Sequence, residues 1–327
     1  MKIFVTGGSG FVGGALVHRL VAEGHEVLAL ARSGASIQRV RATGADPVPG
    51  DLADLRKTDP HARPWLARLQ EVDTVVHVAA HMEFWGPDSL FEHANLVPTV
   101  ALHAASVAAG VRRFVLVSAA SVSTGSQRRP VVDELTPEGK PNIAYSRVKL
   151  ATERALLNAR SGKTELVALR PPFIWGRGMA TLDDLTKVAE AGRFSWIDNG
   201  RHTVDFVHVG NLVGSIVLAL THGRDGGVYY ITDGTPMPIR DFLTPLLATR
   251  GVDLSKSRSV PMAIAAPMAA MMDRTARLLR RKTAPPLTNW LVGWTGRDRS
   301  YDITAARTEL GYSPDVTLEK GLAEMKS

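Results

Sequence analysis

The feature that most restricts the fold of this chain is a glycine-rich loop, TGGSGFVG at 6–13, between a β-branched run and an amphipathic segment. A strand end, a glycine turn and a helix N-terminus form an anion site, because the first helical amides lack intrahelical partners. Gly7 allows the tight turn, Gly10 lets a pyrophosphate approach the backbone, and Gly13 lets the helix pack on the strand. Although the spacing differs from G-x-G-x-x-G, this context predicts a dinucleotide loop rather than a purely structural turn. The predicted contacts are Gly7, Gly10, Phe11, Val12 and Gly13.

Short apolar runs alternate with segments of helical period over the first half of the chain. The strand-like runs are KIFVT (2–6), EVLALA (26–31), DPVPG (46–50), DTVVHVAA (73–80), RRFVLVSA (112–119) and TELVALRP (164–171). Several of them are apolar on both sides, as in strands that helices cover from both faces. This alternation predicts an α/β fold with a Rossmann-type, doubly wound parallel sheet.

The alternation stops after RPPFIWG at 170–176, which predicts two structural units. We expect an NAD(P)-binding Rossmann domain over residues 1–175, to which residues 201–233 return through the strand-like YYITD. Residues 176–200 and 234–327 are expected to form a smaller C-terminal substrate lobe.

Composition and charge narrow the function classes. The chain contains no cysteine, which excludes disulfides and thiolate metal sites and agrees with a reducing compartment. No secretory apolar segment precedes the first strand, so a cytoplasmic protein is expected, and no metal site is predicted. The net charge of +7 includes a patch over residues 273–299, where seven arginines and lysines stand against two aspartates. A local patch of this kind does not indicate a nucleic-acid partner.

The segment 260–282 joins an apolar stretch, PMAIAAPMAAMM at 261–272, to the basic run RTARLLRRK. The apolar stretch contains two prolines and is too short to span a bilayer. Two interpretations stay open. The segment is either a helix packed on the core with a solvated basic end, or a membrane-surface contact or lid over a lipid-like substrate.

The end of the second predicted strand, Leu30-Ala31-Arg32-Ser33, bears on the choice of dinucleotide. An acidic residue at this point binds the ribose 2′-hydroxyl of NAD, whereas an arginine pairs with the 2′-phosphate of NADP. Arg32, followed by Ser33, therefore favours NADP as the cofactor. NAD stays open, because an exposed arginine in a surface loop is also ordinary.

Tyr145 and Lys149 stand four residues apart in AYSRVK, on a segment of helical period. This spacing places both side chains on one helix face. An ammonium group near a phenol stabilises the phenolate and lowers its pKa, which would let Tyr145 exchange a proton near neutral pH. We therefore expect Tyr145 to be the acid or base of a catalytic site that includes Lys149.

The sequence resembles the extended short-chain dehydrogenase/reductases over nearly its whole length. The motifs that carry the resemblance are TGGSGFVG at 6–13, GDLAD at 50–54, HVAA at 77–80, Asn95, YSRVK at 145–149, LRPPFIWG at 169–176, FVHVGNL at 206–212 and AARTELGYSP at 305–314. They are specific for the family and not for a substrate. Dimerisation through helices that flank the active site is common in this family, so a homodimer is one option.

The resemblance implies roles for positions along the cleft. Asp51 and Leu52 would flank the adenine, and Ala79 and Ala80 would line the cofactor cleft. Lys149 would hold the nicotinamide ribose. The further residues expected to contact the cofactor are Asn95, Tyr145, Lys149, Pro171 and Phe173.

One position departs from the family pattern. The family places a serine or threonine after the fifth strand to hydrogen-bond the reacting oxygen, and in LVSAASVSTG the aligned residue is Ala119. We expect Ser121, or else Ser118, to polarise that oxygen, unless these hydroxyls only cap the strand end. Family dehydratases carry an Asp-Glu pair where this chain has Ala120 and Ser121, so sugar-nucleotide dehydration is not expected.

The loop after the fourth predicted strand, HMEFWGPD, follows the alanines of the cleft and is expected to face its reacting end. Its apolar rings suit a flat or greasy substrate better than a sugar nucleotide. Packing of Phe84 and Trp85 under a lid is the alternative. The residues predicted to contact the substrate are His81, Phe84, Trp85 and Trp175.

Among extended members, the apolar loop and segment 260–282 most resemble the branch of 3β-hydroxysteroid dehydrogenase-like enzymes, which includes reductases of long-chain 3-keto acids. The resemblance implies hydride transfer between a nicotinamide and a secondary alcohol or ketone on a small hydrophobic molecule. Two alternatives stay open. One is a nucleotide-sugar epimerase that holds NAD tightly, and the other is a cofactor-binding regulatory or scaffold protein without catalysis, which Ala119 favours.

Overall fold

The structure is a computed structural model that describes residues 1–57, 61, 63–124, 131–136, 139–160 and 162–326. Its strands are β1 (Lys2–Thr6), β2 (Glu26–Ala31), β3 (Asp46–Pro49), β4 (Thr74–His77), β5 (Arg113–Val117), β6 (Val131–Val132), β7 (Glu165–Arg170), β8 (Phe173–Trp175), β9 (Ser195–Ile197), β10 (Thr203–Val204), β11 (Phe206–His208), β12 (Gly227–Tyr230), β13 (Met237–Pro238), β14 (Arg258–Val260) and β15 (Ser300–Tyr301).

The α-helices are α1 (Phe11–Ala22), α2 (Gly34–Ala42), α3 (Asp88–Phe91), α4 (Val97–Ala108), α5 (Ala144–Asn158), α6 (Ala180–Glu190), α7 (Val209–Ala219), α8 (Ile239–Ala248), α9 (Met262–Leu278), α10 (Asn289–Thr295), α11 (Thr304–Glu309) and α12 (Leu318–Lys326). A π-helical turn, Glu92–Leu96, joins α3 to α4. Turns of 3-10 helix cover Leu52–Arg56, Pro64–Glu71, Ala120–Ser123 and Asp198–Gly200.

Seven strands of the described residues form one parallel sheet in the order β12-β7-β5-β4-β1-β2-β3. β1 pairs with β2 on one side and with β4 on the other, where Thr6 lies opposite His77. The chain order reverses at this point, and such a reversal leaves a crevice at the carboxyl ends of the strands. The predicted α/β fold with a doubly wound parallel sheet is confirmed.

Helices cover both faces of the sheet because its central strands are apolar on both sides. In β1, Ile3 and Val5 pack in the cluster that contains Leu16 of α1, whereas Phe4 packs on the opposite face with Leu102 of α4. All five side chains are fully buried. Burying a large apolar side chain contributes about 2 kcal/mol relative to leaving it exposed, so the two-sided pattern fixes a three-layer arrangement.

The segments that follow β7 build a further apolar cluster beside the sheet, which contains Trp196, Phe206 and Phe242. β8 pairs with β11, and β14 pairs with β9, in small two-stranded sheets. β12 instead joins the edge of the large sheet next to β7. The domain limits given above stay a prediction.

Segment 260–282 contains α9, which packs on its neighbours through a stripe of small residues. Ala265 and Ala269 are fully buried against a cluster that includes Ile197 and Val292. In the part of the chain that the structure describes, no helix is both long and apolar enough to cross a membrane.

Candidate active site

A cavity of about 1080 Å³ lies between the carboxyl ends of the sheet and the segments that follow β7. Eighteen residues predicted from the sequence line it: Gly7, Gly10, Phe11, Val12, Gly13, Arg32, Asp51, Leu52, Ala79, Ala80, His81, Phe84, Ser118, Ser121, Tyr145, Lys149, Pro171 and Phe173. Four others, Ser33, Trp85, Asn95 and Trp175, do not. The cavity therefore brings most of the predicted site together, while the roles of its residues stay predictions.

The glycine loop leaves no room for a side chain at two positions. Gly7 has a φ of +76°, and a Cβ there would lie 2.8 Å from the backbone nitrogen of Ala79. A Cβ at Gly13 would lie 2.0 Å from the carbonyl oxygen of Gly7. Gly10 is the N-cap of α1, and among the described residues no side chain accepts a hydrogen bond from the first amides of that helix. These amides belong to residues that line the cavity, so they can receive an anion such as a pyrophosphate.

The part of the cavity near β2 and β3 is lined by charged side chains of both signs. The exposed guanidinium of Arg32 follows β2 directly and has no ion-pair partner among the described residues. Asp51 caps the next 3-10 turn by accepting from the Ala53 amide at 2.9 Å. Ser33 does not line the cavity, and its hydroxyl caps α2 by accepting from the Ser36 amide at 3.2 Å, so its contact with the cofactor stays a prediction.

A buried chain of hydrogen bonds joins the ends of β1 and β4. The Ala79 amide donates to Thr6 Oγ1 at 3.3 Å, and Thr6 Oγ1 lies 2.8 Å from His77 Nδ1. His77 Nε2 lies 2.8 Å from Thr99 Oγ1, whose hydroxyl donates to the Asn95 carbonyl. Thr99 therefore accepts from Nε2–H, which leaves Nδ1 as the acceptor for the Thr6 hydroxyl. Burial lowers the pKa of His77 to about 3, so the neutral ring that this pattern needs is the stable form.

Asn95 lies in the π-helical turn and outside the cavity lining, which corrects the expectation of a cofactor contact. Its Oδ1 accepts from the His81 amide at 2.7 Å, and its Nδ2 donates to the His81 carbonyl at 3.0 Å. A buried amide that binds both backbone groups of one residue fixes the position of that residue. Asn95 is therefore a positioning residue for the loop that carries His81 and Phe84.

Tyr145 and Lys149 share the buried face of α5. The Lys149 ammonium donates to the carbonyl of Val117, at the end of β5, at 2.8 Å. Burial lowers the pKa of Lys149 to about 8, although the Glu153 carboxylate raises it. Burial raises the pKa of the Tyr145 phenol above its ordinary value, which is opposite to the lowered pKa expected from a neighbouring ammonium. Tyr145 is thus protonated at neutral pH, which is the form that a proton donor needs.

A buried ion pair lies one helical turn beyond Lys149 on α5. The Glu153 and Arg170 side chains, which are 1% and 8% exposed, pair through two guanidinium nitrogens. Arg170 also donates to the Tyr230 phenol at 3.1 Å, so the pair joins α5 to β7 and β12. Removing one partner of such a pair typically costs about 3–5 kcal/mol, because the other charge stays buried. This pair was not predicted from the sequence, although Arg170 stands inside the LRPPFIWG motif.

Serine hydroxyls follow the end of β5 near Tyr145. Ser146 Oγ donates to Ser121 Oγ at 2.8 Å. Because that bond uses an acceptor site of Ser121, its own O–H can donate toward the cavity that Ser121 lines. Ser118 Oγ is buried without a hydrogen-bond partner among the described residues. Ser146 was not predicted from the sequence, and its signal is its place directly after Tyr145 on the same helix.

Four rings form one side of the cavity, which we call the aromatic wall: Phe84, Trp290, Trp294 and Phe173. Phe84 stacks on Trp290 with ring centroids 3.7 Å apart, and Trp290 is parallel to Trp294 at 5.9 Å. Trp294 meets Phe173 at 5.0 Å, and Phe84 meets Tyr145 edge-on at 6.2 Å. Neither tryptophan of α10 was predicted from the sequence, although their four-residue spacing places them on one helix face.

Two predicted substrate contacts are wrong in this structure. Trp175 is fully buried, and its indole N–H donates to the Asp233 carboxylate at 2.8 Å, so it is a core residue. Trp85 turns toward the chain after α9, where its indole N–H donates to the Arg281 carbonyl at 3.0 Å. The Arg277 guanidinium lies 4.9 Å from the centroid of the Trp85 ring. The two rings of this loop therefore differ in position. Trp85 packs against segment 260–282, while Phe84 lines the cavity.

Two arginines line another part of the cavity. Arg297 and Arg299 form no ion pair with any residue that the structure describes. Burial raises the pKa of the Tyr301 phenol, and its contact with the Arg299 guanidinium lowers that pKa. The Tyr301 hydroxyl lies 3.5 Å from the Ala120 carbonyl, next to Ser121. The guanidinium of Arg299 is therefore connected to the polar end of the cavity.

The family comparison agrees with the motifs. The family model of the NAD-dependent epimerase/dehydratase family matches residues 3–232. A 4-hydroxy-2-methyl-3-oxo-4-farnesyl-3,4-dihydroquinoline-1-oxide ketoreductase of Stigmatella aurantiaca is 34% identical over 100% of this chain and 96% of its own length. A 2-alkyl-3-oxoalkanoate reductase of Stenotrophomonas maltophilia is 35% identical over 100% of this chain and 99% of its own.

Solved structures share the fold over the full length. A dTDP-glucose 4,6-dehydratase of Streptomyces venezuelae, solved with NAD bound, aligns with a TM-score of 0.75 at 26% identity and covers 100% of this chain and 96% of its own. A UDP-glucose 4-epimerase of Thermotoga maritima aligns with a TM-score of 0.75 at 21% identity, covering 100% and 97%. The latter likeness is evidence of the fold alone.

Proposed function

The chain belongs to the NAD-dependent epimerase/dehydratase family and is an NAD-dependent oxidoreductase of the extended short-chain type, and we propose that it reduces a ketone on a hydrophobic substrate. The observation that carries the proposal is the environment of Tyr145, a buried neutral phenol in edge contact with Phe84 of the aromatic wall. A neutral phenol is a proton donor, and the wall offers apolar surface for the body of a substrate beside it.

The residues of the cavity fit a nicotinamide dinucleotide, which supplies the hydride. Its pyrophosphate fits the space at Gly7 and Gly13, which any Cβ would fill. The uncapped amides of α1 can donate hydrogen bonds to it. Lys149 would hold the nicotinamide ribose, since its ammonium is fixed to the Val117 carbonyl at the end of β5. The unpaired guanidinium of Arg32 supports NADP over NAD, because it can form charge-assisted hydrogen bonds with a 2′-phosphate.

Tyr145 and Ser121 have different roles at the carbonyl oxygen of the substrate. Ser121, oriented by the hydrogen bond from Ser146, donates to the oxygen and stabilises the negative charge that develops there. Tyr145 transfers its phenolic proton to the same oxygen and completes the alcohol. The residue aligned with the family's serine or threonine is Ala119, and the Ser146–Ser121 pair supplies the missing hydroxyl from the adjacent turn.

The substrate combines an apolar body with an acidic group. The aromatic wall accepts the body, while Arg297 and Arg299, which form no ion pair with a described residue, offer their guanidinium groups to a carboxylate. This combination supports a 3-keto acid of the kind that the name of the Stenotrophomonas maltophilia relative describes. Burial raises the pKa of Asp205, another cavity residue, to about 7, which reduces its repulsion of such an anion near neutral pH.

Transfer of a labelled hydride tests the proposal. The purified protein is incubated with long-chain 3-keto acids and with nicotinamide dinucleotides that carry deuterium at C4. Net oxidation of the dinucleotide, with deuterium on the new carbinol carbon, is the expected result. A nucleotide-sugar epimerase would instead return the hydride to its own substrate, retain oxidised NAD and leave the keto acid unchanged, which would reject the proposal.

A further inference from the structure

α9 presents two different faces. Its inner stripe, Ala265, Ala269 and Ala276, is buried, as expected for one helix face at i, i+4 and i+11 spacing. Its outer stripe is apolar and exposed: Ile264 is 53% exposed, Met268 44%, Met271 65% and Leu278 82%. Leu279, directly after the helix, is 59% exposed. Single exposed apolar residues are ordinary, but an aligned row along one helix face is typical of an interaction surface.

Exposed cations accompany the apolar row. Arg274, Arg280, Arg281 and Lys282 are exposed, and none of them forms an ion pair with a described residue. Arg277, by contrast, is held over the Trp85 ring. A helix end with an outward apolar face and several unpaired cations complements a surface that is apolar inside and anionic outside.

The same surface continues to the mouth of the cavity. Met262 and Ala266 of α9 line the cavity, on the side of the helix that adjoins its buried stripe. Met82 and Leu90 also line the cavity and are 57% and 41% exposed, so apolar surface continues from the cavity to the outside. The Trp85 indole ties the loop that carries Met82 to the chain that follows α9.

We propose that the outer face of α9 and the cations up to Lys282 seat this protein on an anionic membrane surface. The apolar side chains of the outer stripe enter the boundary between headgroups and acyl chains, and the cations bind lipid phosphates. In this position the apolar mouth of the cavity faces lipid, from which a hydrophobic molecule can enter. The inference concerns where the protein works, and it stands apart from the reaction proposed above.

Sedimentation with lipid vesicles tests the inference. The full chain is mixed with vesicles of phosphatidylcholine alone, or of phosphatidylcholine and phosphatidylglycerol, at low and high salt. One variant, Leu278→Ser, removes an apolar contact, and its matched control is Leu135→Ser at another exposed leucine (91% exposed). A second variant combines Arg280→Gln, Arg281→Gln and Lys282→Gln. Its control removes three exposed cations elsewhere: Arg41→Gln, Arg112→Gln and Lys187→Gln.

Binding to the anionic vesicles, weaker binding to phosphatidylcholine and release by salt are expected. The triple variant should lower the partition coefficient by about a hundredfold, since each cation near an anionic surface contributes about fivefold. Leu278→Ser should lower it as well, whereas both controls should bind as the wild-type chain does.

Three results would overturn the inference. The first is a wild-type chain that stays in the supernatant with both kinds of vesicle. The second is an equal loss of binding in the control variants, which would assign the effect to net charge or to general apolar exposure. The third is concentration-dependent self-association that Leu278→Ser abolishes in the absence of lipid, which would make this face an interface between copies of the chain.

Discussion

The Ser146 hydroxyl donates a hydrogen bond to the Ser121 hydroxyl at 2.8 Å, and Ser146 directly follows Tyr145 on α5. Ser121 lies on the 3-10 turn after β5, so this bond joins the turn to the helix that carries the proposed proton donor. The two groups that we propose to act on one substrate oxygen are thereby linked through Ser146. The arrangement supports the proposal that Ser121 supplies the polarising hydroxyl in a chain with Ala119 at the usual serine position.

Removal of either serine hydroxyl should reduce turnover, but to different degrees. Ser121→Ala removes a donor to the reacting oxygen and should lower kcat by about a hundredfold. Ser146→Ala only frees the orientation of Ser121, so kcat should fall by about tenfold with KM unchanged. The double variant should be no slower than Ser121→Ala alone, because both act through one hydroxyl.

Steady-state kinetics of the single and double variants measures this coupling. Ser106→Ala is the matched control, since Ser106 is equally buried and donates to the Leu102 carbonyl on α4. It should keep the wild-type kcat. Additive losses in the double variant would show that Ser146 acts separately from Ser121.

Lys149→Met should abolish turnover and yet stabilise the folded protein at neutral pH. The folded-state pKa of about 8 lies below the ordinary 10.5, so the native state binds this proton less tightly than the unfolded chain does. At neutral pH this difference corresponds to about 3 kcal/mol of destabilisation, at 1.36 kcal/mol per pKa unit. Between pH 8 and 10.5 the native state loses the proton first, so wild-type stability rises with pH and the advantage of the variant shrinks.

Chemical denaturation of both proteins across this pH range gives the free energies of unfolding. Lys187→Met is the matched control, because that lysine side chain is 73% exposed and should show no such pH dependence. A Lys149→Met variant that is less stable at neutral pH, with a difference that does not vary with pH, would contradict the lowered pKa of the buried ammonium.

Arg299→Gln should raise KM for an acidic substrate and not for its neutral counterpart. Loss of a charge-assisted hydrogen bond to a carboxylate costs about 1.5–3 kcal/mol, which corresponds to a ten- to hundredfold increase in KM for a 3-keto acid. The methyl ester of the same acid should be reduced with an unchanged KM. Kinetics on the acid and ester pair separates the carboxylate contact from general damage to the cavity, which would raise both values.

Arg32→Ala should weaken NADP binding by about ten- to hundredfold and leave NAD binding unchanged, because only NADP carries the 2′-phosphate. Calorimetric titration with each dinucleotide measures both affinities. Arg41→Ala removes an exposed arginine of α2 that does not line the cavity, and it should change neither. An unaltered preference in Arg32→Ala would reject Arg32 as the selecting residue.

The sheet and the cofactor end of the cavity are predictable because local rules determine them. The positive φ of Gly7 and the contact at Gly13 require glycine whatever the rest of the chain does. The helical spacing of Tyr145 and Lys149 likewise places both on one face without knowledge of the tertiary fold.

The substrate end is less predictable because tertiary packing decides it. Nothing local distinguishes Trp85, which packs under the chain after α9, from Phe84, which lines the cavity. Trp290 and Trp294 come from a helix more than a hundred residues away in sequence. The direction of the Tyr145 pKa also differs from the sequence expectation, since burial raises it and only the structure defines burial.

The most direct test of the account is the rate of hydride transfer in Tyr145→Phe, with dinucleotide affinity measured on the same preparation. The substitution keeps the ring that meets Phe84 and Phe91 and removes only the hydroxyl. We predict a loss of turnover of about a hundredfold or more, with dinucleotide affinity close to that of the wild-type chain. Turnover retained at the wild-type level would contradict the role of Tyr145 as proton donor.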